Sequence, residues 1–133
     1  MRRVIEPMKS DISTKSELTQ IVNNFYDKAI NDEVIGHFFT DVMQLDLETH
    51  LPKIVNFWAS ILLGETGYRE NVMLKHLQLH EISPLEKKHF DQWLLLWSQT
   101  INDNYRGEKA ELAVQRANDI ALLMQHKISA AQK

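Results

Sequence analysis

Only four Gly and three Pro occur in 133 residues, and nowhere do apolar and polar positions alternate as they do along a half-buried strand. An all-β fold of this length needs many tight turns, and tight turns draw on Gly and Pro. So small a supply points to a few long helices. The chain has the size of one ordinary domain and can bury most of the surface its unfolded form exposes. Its 44% hydrophobic and 25% charged residues are those of a soluble globular protein, which excludes disordered and collagen-like architectures.

Charge and cysteine usage narrow the function classes. Fifteen Lys and Arg against 18 Asp and Glu leave −3, so neither nucleic acid nor an anionic membrane is an expected partner. The absence of Cys removes disulfides, thiolate metal sites and a cysteine nucleophile. Residues 1–15 carry Arg2, Arg3, Glu6, Lys9 and Asp11 without an apolar run, unlike a signal peptide. The strongly apolar stretches Phe57–Leu63 and Trp93–Trp97 fall far short of the roughly 20 residues a spanning helix needs. The expected location is the cytoplasm.

Helical periodicity organises the rest. A polar leader (1–13), one domain (14–129) and a short tail (130–133) are expected. Thr14-Lys15-Ser16-Glu17 has the form of a capping box, in which hydroxyl and carboxylate each satisfy a free backbone N–H. Leu18, Ile21, Val22, Phe25, Ala29 and Ile30 follow at three- and four-residue intervals, one buried face of a helix that Asn31-Asp32 ends. Val34–Phe39 is a short apolar turn interrupted by Gly36. A second helix spans about 46–63, buries Leu47, Leu51, Ile54, Phe57, Trp58, Ile61 and Leu62, and stops at Gly64. Pro52 inside it predicts either a start near Leu51 or distorted first turns. After a polar loop, Val72–Leu79 has room for only a short helix.

Ser83-Pro84-Leu85-Glu86 predicts a start with Ser as N-cap, Pro at N1 and Glu at N3. That helix buries Phe90, Trp93, Leu94, Trp97 and Ile101 and ends near Gly107 as its C′ residue. The last helix, about 108–129, presents Ala113, Ala117, Ile120, Ala121, Met124 and Ile128. The expected class is all-α.

Without Cys, the six His are the natural metal or haem ligands: His37, His50, His76, His80, His89 and His126. Singly, each reads as a surface or half-buried residue, and His126 lies among polar neighbours. Glu86-x-x-His89 has the spacing of a carboxylate-bridged di-iron pair, but that site needs a second Glu-x-x-His, which is missing. His76-x-x-x-His80 has zinc-pair spacing, yet Leu77 stands where a metalloprotease needs Glu, and no third ligand is indicated. The third constellation joins His50, heading the stripe Ile54, Phe57, Trp58 and Ile61, with His76 flanked by Leu74, Leu77 and Leu79. Phe25-Tyr26 and Trp93 would add aromatic bodies carrying an O–H or N–H, and on spacing alone these are core residues.

Over about 16–125 the sequence resembles the truncated haemoglobins, specifically group III. The residues that carry the resemblance are Phe25-Tyr26-Asp27-Lys28, Ile35-Gly36 with Phe38-Phe39, His50-Leu51-Pro52-Lys53, Asn56-Phe57-Trp58 and Leu62-Leu63-Gly64. His76-Leu77 and Phe90-x-x-Trp93-Leu94-x-Leu96-Trp97 follow in order. The resemblance implies a two-over-two helical sandwich around haem b (iron protoporphyrin IX), the first helix paired with the second and the Ser83 helix with the last. It implies His76 as proximal iron ligand, and Tyr26, Trp93 and His50 as the distal, ligand-stabilising residues. Phe25, Phe39, Ile54, Phe57 and Trp58 would then line the haem. Lys53, Arg69 and Lys75 are candidate partners of the propionates, and His37 has no assigned role. The implied ligands are O₂, NO and CO, bound by a monomer. The uses implied are O₂ storage or transport, NO dioxygenation, or peroxidase-like chemistry with an external reductase; no residue is assigned a catalytic role. A haem-free helical interaction module that keeps the globin shape is the rival reading.

Overall fold

The computed structural model describes residues 9–39, 47–65 and 84–131. They form four helices, α1 (Lys15–Ile30), α2 (Leu47–Leu62), α3 (Lys87–Asn102) and α4 (Glu108–Ala131), and no strand occurs among them. α1 packs on α2 and α3 on α4; the two pairs meet with α1 against α3 and α2 against α4. This is the all-α, two-over-two arrangement expected from the sequence. The expected short helix over Val72–Leu79 lies outside the described residues.

α1 starts as its capping box predicts. Thr14 accepts from the Glu17 N–H at 3.2 Å, and the Glu17 carboxylate accepts from the Thr14 N–H at 3.0 Å. Leu18, Ile21, Val22, Phe25, Tyr26 and Ala29 make up its buried face. The turn after it is tight. A Cβ on Gly36 would lie 2.6 Å from the Ile30 carbonyl oxygen, so only Gly lets the chain double back here.

α2 runs through Pro52 without ending. The cost of the missing donor falls near the helix start, at the carbonyl of Glu48, where few intrahelical bonds are at stake. The helix then stops where expected, with Gly64 in the left-handed region at φ 68.

Two expected boundaries are corrected at α3. The helix begins at Lys87, and Pro84 and Leu85 are not helical; Ser83 lies outside the described residues. Glu86 is the N-cap residue rather than N3, and His89 takes the N3 place, its Nδ1 accepting the Glu86 N–H at 2.9 Å. A neutral imidazole can do what a carboxylate does in the familiar motif. Burial and the neighbouring Lys88 both hold the His89 pKa below its ordinary value, which keeps the ring neutral. At the other end α3 finishes at Asn102, so Gly107 is not its C′ residue. Gly107 instead stands directly before α4 at φ 143.

A tertiary contact explains Gly107. Asp11 reaches across from the N-terminal segment and caps α4, accepting from the N–H of Lys109 and Ala110, each at 2.9 Å. A Cβ on Gly107 would sit 2.5 Å from the Asp11 Cγ. Ser10 accepts from the Arg106 N–H at 3.0 Å, and Ile12, 1% exposed, enters the core. Burial pushes the Asp11 carboxyl up, but the N–H groups of Lys109, Ala110 and Ile12 outweigh it and hold the pKa below 3.8. Because the folded value is depressed, the stabilisation is present above the unfolded value and is lost as pH falls through the folded one. Asp11→Ala should therefore cost about 1–2 kcal/mol in urea unfolding at neutral pH, and its difference from the wild type should shrink as the pH falls below the ordinary Asp value.

The core is closed by contrast in side-chain size. α4 offers the small residues Ala110, Ala113, Ala117 and Ala121, all at most 2% exposed, to large residues from α3. Close approach lets Trp97 donate its indole N–H to the Ala113 carbonyl at 3.2 Å. On its other side Trp97 stacks on Trp58 of α2, ring centroids 4.6 Å apart and 22° from parallel.

Candidate functional site

Three pieces of chain meet around Tyr26. The residue sits late on α1, one position after the core residue Phe25, with only 7% of its surface exposed. Its ring is edge-on to Phe25 at 5.3 Å, to Phe39 at 5.4 Å and to His50 at 5.4 Å. Phe39 comes from the turn after α1, and His50 from the first turn of α2. Trp93 of α3 joins through Phe25, edge-on to it with centroids 6.3 Å apart. Five residues assigned from the sequence, Phe25, Tyr26, Phe39, His50 and Trp93, are thus brought together.

The polar atoms of this cluster are specific. The Tyr26 hydroxyl and His50 Nε2 lie 2.8 Å apart, a hydrogen bond inside an aromatic wall. Burial lifts the Tyr26 pKa far above the ordinary phenol value, so the O–H stays protonated. The bond has two senses. Tyr26 donates when the neutral imidazole carries its proton on Nδ1. With the proton on Nε2, His50 donates and the Tyr26 proton is free to point elsewhere. The Trp93 indole N–H has no hydrogen-bond partner among the described residues.

The remaining assigned residues occupy different depths. Ile54 and Phe57 of α2 are half-buried and pack on the core edge. Trp58, expected beside a porphyrin, lies 3% exposed in the interior against Trp97. His76 and His80 fall outside the described residues, as do Arg69 and Lys75; Lys53 is exposed. His37 and His126 are exposed. The di-iron pair set aside above is occupied differently, since His89 Nδ1 is engaged with the Glu86 backbone. Among the described residues no group of three His, Asp or Glu could hold a metal ion.

Sequence reading missed the brace that holds this wall. Asp32, read only as a helix stop, accepts from the N–H of Val34 at 2.8 Å and of Ile35 at 3.0 Å, and from Gln92 Nε2 of α3 at 2.7 Å. It thereby fixes the turn that carries Phe38 and Phe39 against α3. An Asp just after a helix, able to accept from N–H groups two and three residues on, is a turn signal, but the Gln92 contact spans 60 residues and has no local signature.

The residues fit a planar apolar group. Phe39, Ile54, Phe57 and Trp93 are large, apolar and only half-buried, while the core behind them is closed. The polar pair and the indole N–H flank that incomplete wall, an arrangement suited to a flat hydrophobic cofactor carrying a small polar ligand.

Comparison with known proteins agrees. The family model described as bacterial-like globin matches residues 10–126. The group 3 truncated hemoglobin ctb of Campylobacter jejuni is 32% identical over 124 residues, covering 91% of this chain and 95% of that protein. The crystal structure of a group III truncated hemoglobin from Campylobacter jejuni superposes with a TM-score of 0.79 at 30% identity, covering 91% of this chain and 95% of that one. No helix among the described residues is long and apolar enough to cross a membrane.

Proposed function

We propose, from the premise that the chain belongs to the bacterial-like globin family and within it to the group III truncated haemoglobins, that it binds O₂ and related diatomic ligands at one b-type haem. Membership itself implies haem-based ligand binding; the ligand and the residues that hold it are our reading. The observation that carries it is the part-buried Tyr26–His50 hydrogen bond of 2.8 Å in a half-open aromatic wall. Haem, when bound, supplies an iron that takes a diatomic ligand and leaves bound O₂ partly negative. The chain's own residues then answer that charge. Trp93 gives its indole N–H, and Tyr26 gives its O–H when His50 takes the donor role towards the phenol oxygen. The protein around them keeps water away, which strengthens each bond. His76 is the proposed iron ligand.

Donors on the bound ligand slow its release. That favours chemistry on bound O₂, such as NO dioxygenation, over simple delivery. Such turnover requires electrons from a separate reductase, because the sequence carries no flavin or nicotinamide motif. The protein is proposed to act as a monomer.

Adding haemin to the purified protein tests the reading. A Soret band should appear, and His76→Ala should shift or abolish it. No band, or one unchanged by that substitution, overturns the assignment and leaves the haem-free interaction module.

A further inference from the structure

We propose that Trp58 and Trp97 form a stacked redox pair that takes up one-electron oxidising equivalents arising beside Tyr26. The three Trp of the chain belong to one aromatic cluster. Phe25 bridges it: its ring is edge-on to Tyr26 at 5.3 Å and to Trp97 at 5.4 Å. Beyond Trp97 lies Trp58, nearly parallel at 4.6 Å. No gap wider than a ring contact separates the ligand side of the wall from the stacked indoles.

Three features make the pair the place where an electron is lost. Indole is among the most easily oxidised side chains, and without Cys no thiol competes. Two overlapping indoles share a positive hole, which neither could spread alone. The Trp97 N–H also points at the Ala113 carbonyl, 3.2 Å away. That oxygen stabilises positive charge on the ring, and it is too weak a base to remove the proton, so the product is a radical cation. Trp58 and Trp97 are 3% and 1% exposed, so the oxidised ring is shielded from solvent and from other protein molecules.

The natural source of such equivalents rests on the haem reading: hydrogen peroxide reduced at the bound cofactor. One peroxide takes two electrons and two solvent protons to give two waters. The pair supplies these electrons one at a time, each time becoming a radical cation. A small one-electron donor such as ascorbate restores the indole. The pair would thus serve either to spare the pocket from oxidation or to conduct peroxidase-like turnover.

Two arms test the proposal. In the first, haem-loaded protein carrying ring-deuterated Trp is mixed with one equivalent of hydrogen peroxide, frozen rapidly and examined by electron paramagnetic resonance. A radical signal narrowed by deuteration is expected, lost in Trp97→Phe and in Trp58→Phe while the Soret band remains. A tyrosyl signal in the wild type, or a Trp signal that survives both substitutions, overturns the pair. Peptide mass mapping of the wild type, which needs no variant to fold, should find oxidised indole at Trp58 or Trp97; oxidation confined to Trp93 or Tyr26 contradicts it. The second arm does without haem. The chain has no Cys, so Asn56→Cys on the exposed side of α2 accepts a ruthenium photosensitiser at a single site. Flash oxidation should yield the indole radical-cation absorption, absent from both Phe variants; its persistence in both overturns the proposal. A missing Soret band in the first arm counts against the haem reading alone, and the second arm still decides the pair.

Discussion

Trp93→Phe should release O₂ from the haem-loaded protein about tenfold faster, the larger of the two distal effects. A well-aligned donor onto a partly charged ligand contributes about 1–1.5 kcal/mol, which is roughly a factor of ten in dissociation. On the proposed reading Trp93 would give most of that contribution, because its N–H has no partner among the described residues to surrender. Tyr26 is placed differently. Its hydroxyl already shares a hydrogen bond with His50, 2.8 Å long. To donate to a ligand it must either abandon His50 or have His50 reverse its role, and either change offsets part of the gain. Tyr26→Phe should therefore speed release by a smaller factor. Ligand-replacement stopped flow on the two single variants and the double variant measures both, and the cycle exposes their coupling. Equal effects, or a larger one for Tyr26, would show that the Tyr26–His50 bond does not compete with the ligand.

Trp97→Ala should cost about 3–5 kcal/mol, the largest expected effect on stability. The indole is 1% exposed, stacks on Trp58, meets Phe25 edge-on and donates to the Ala113 carbonyl. Small residues surround it on α4, so the neighbouring backbone is already close and little can move in to fill the hole. Against a typical net stability of about 5–15 kcal/mol, such a loss leaves the apoprotein marginal. Urea unfolding of the apoprotein, followed by far-ultraviolet circular dichroism, measures it. Trp97→Phe keeps most of the buried area and should cost clearly less. A Trp97→Ala midpoint within error of the wild type would mean that this ring is not the keystone of the two helix pairs.

The legible parts of this protein are those in which one helix decides the outcome. Leu18 to Ala29 mark a buried face by spacing, and Thr14 and Glu17 sit three residues apart on the chain that their bonds close. Ala113, Ala117, Ala121, Met124 and Ile128 are legible in the same way. The distal residues were legible only through resemblance, because spacing cannot distinguish a pocket Tyr from a core Tyr. The misreadings share a cause. Ser83-Pro84-Leu85-Glu86 has the composition of a helix start, yet His89, not a usual capping residue, takes the N3 role once its ring is buried beside Phe38 at 4.8 Å. Gly107 has the composition of a helix end, yet its φ of 143 makes room for Asp11 arriving from the other end of the chain.

Four Gly and three Pro were enough to dictate helices, because helix formation depends on residues within a turn or two of one another. Periodicity then chose which face of each helix is buried. Tertiary structure alone decided that α4 is capped by Asp11, that Gln92 braces the turn carrying Phe39, that Trp58 stacks inward on Trp97, and that Tyr26 meets His50. Each of these contacts joins residues that are distant in sequence and share no local energy. They form only after packing has brought the helices together, so no pattern along the chain records them in advance.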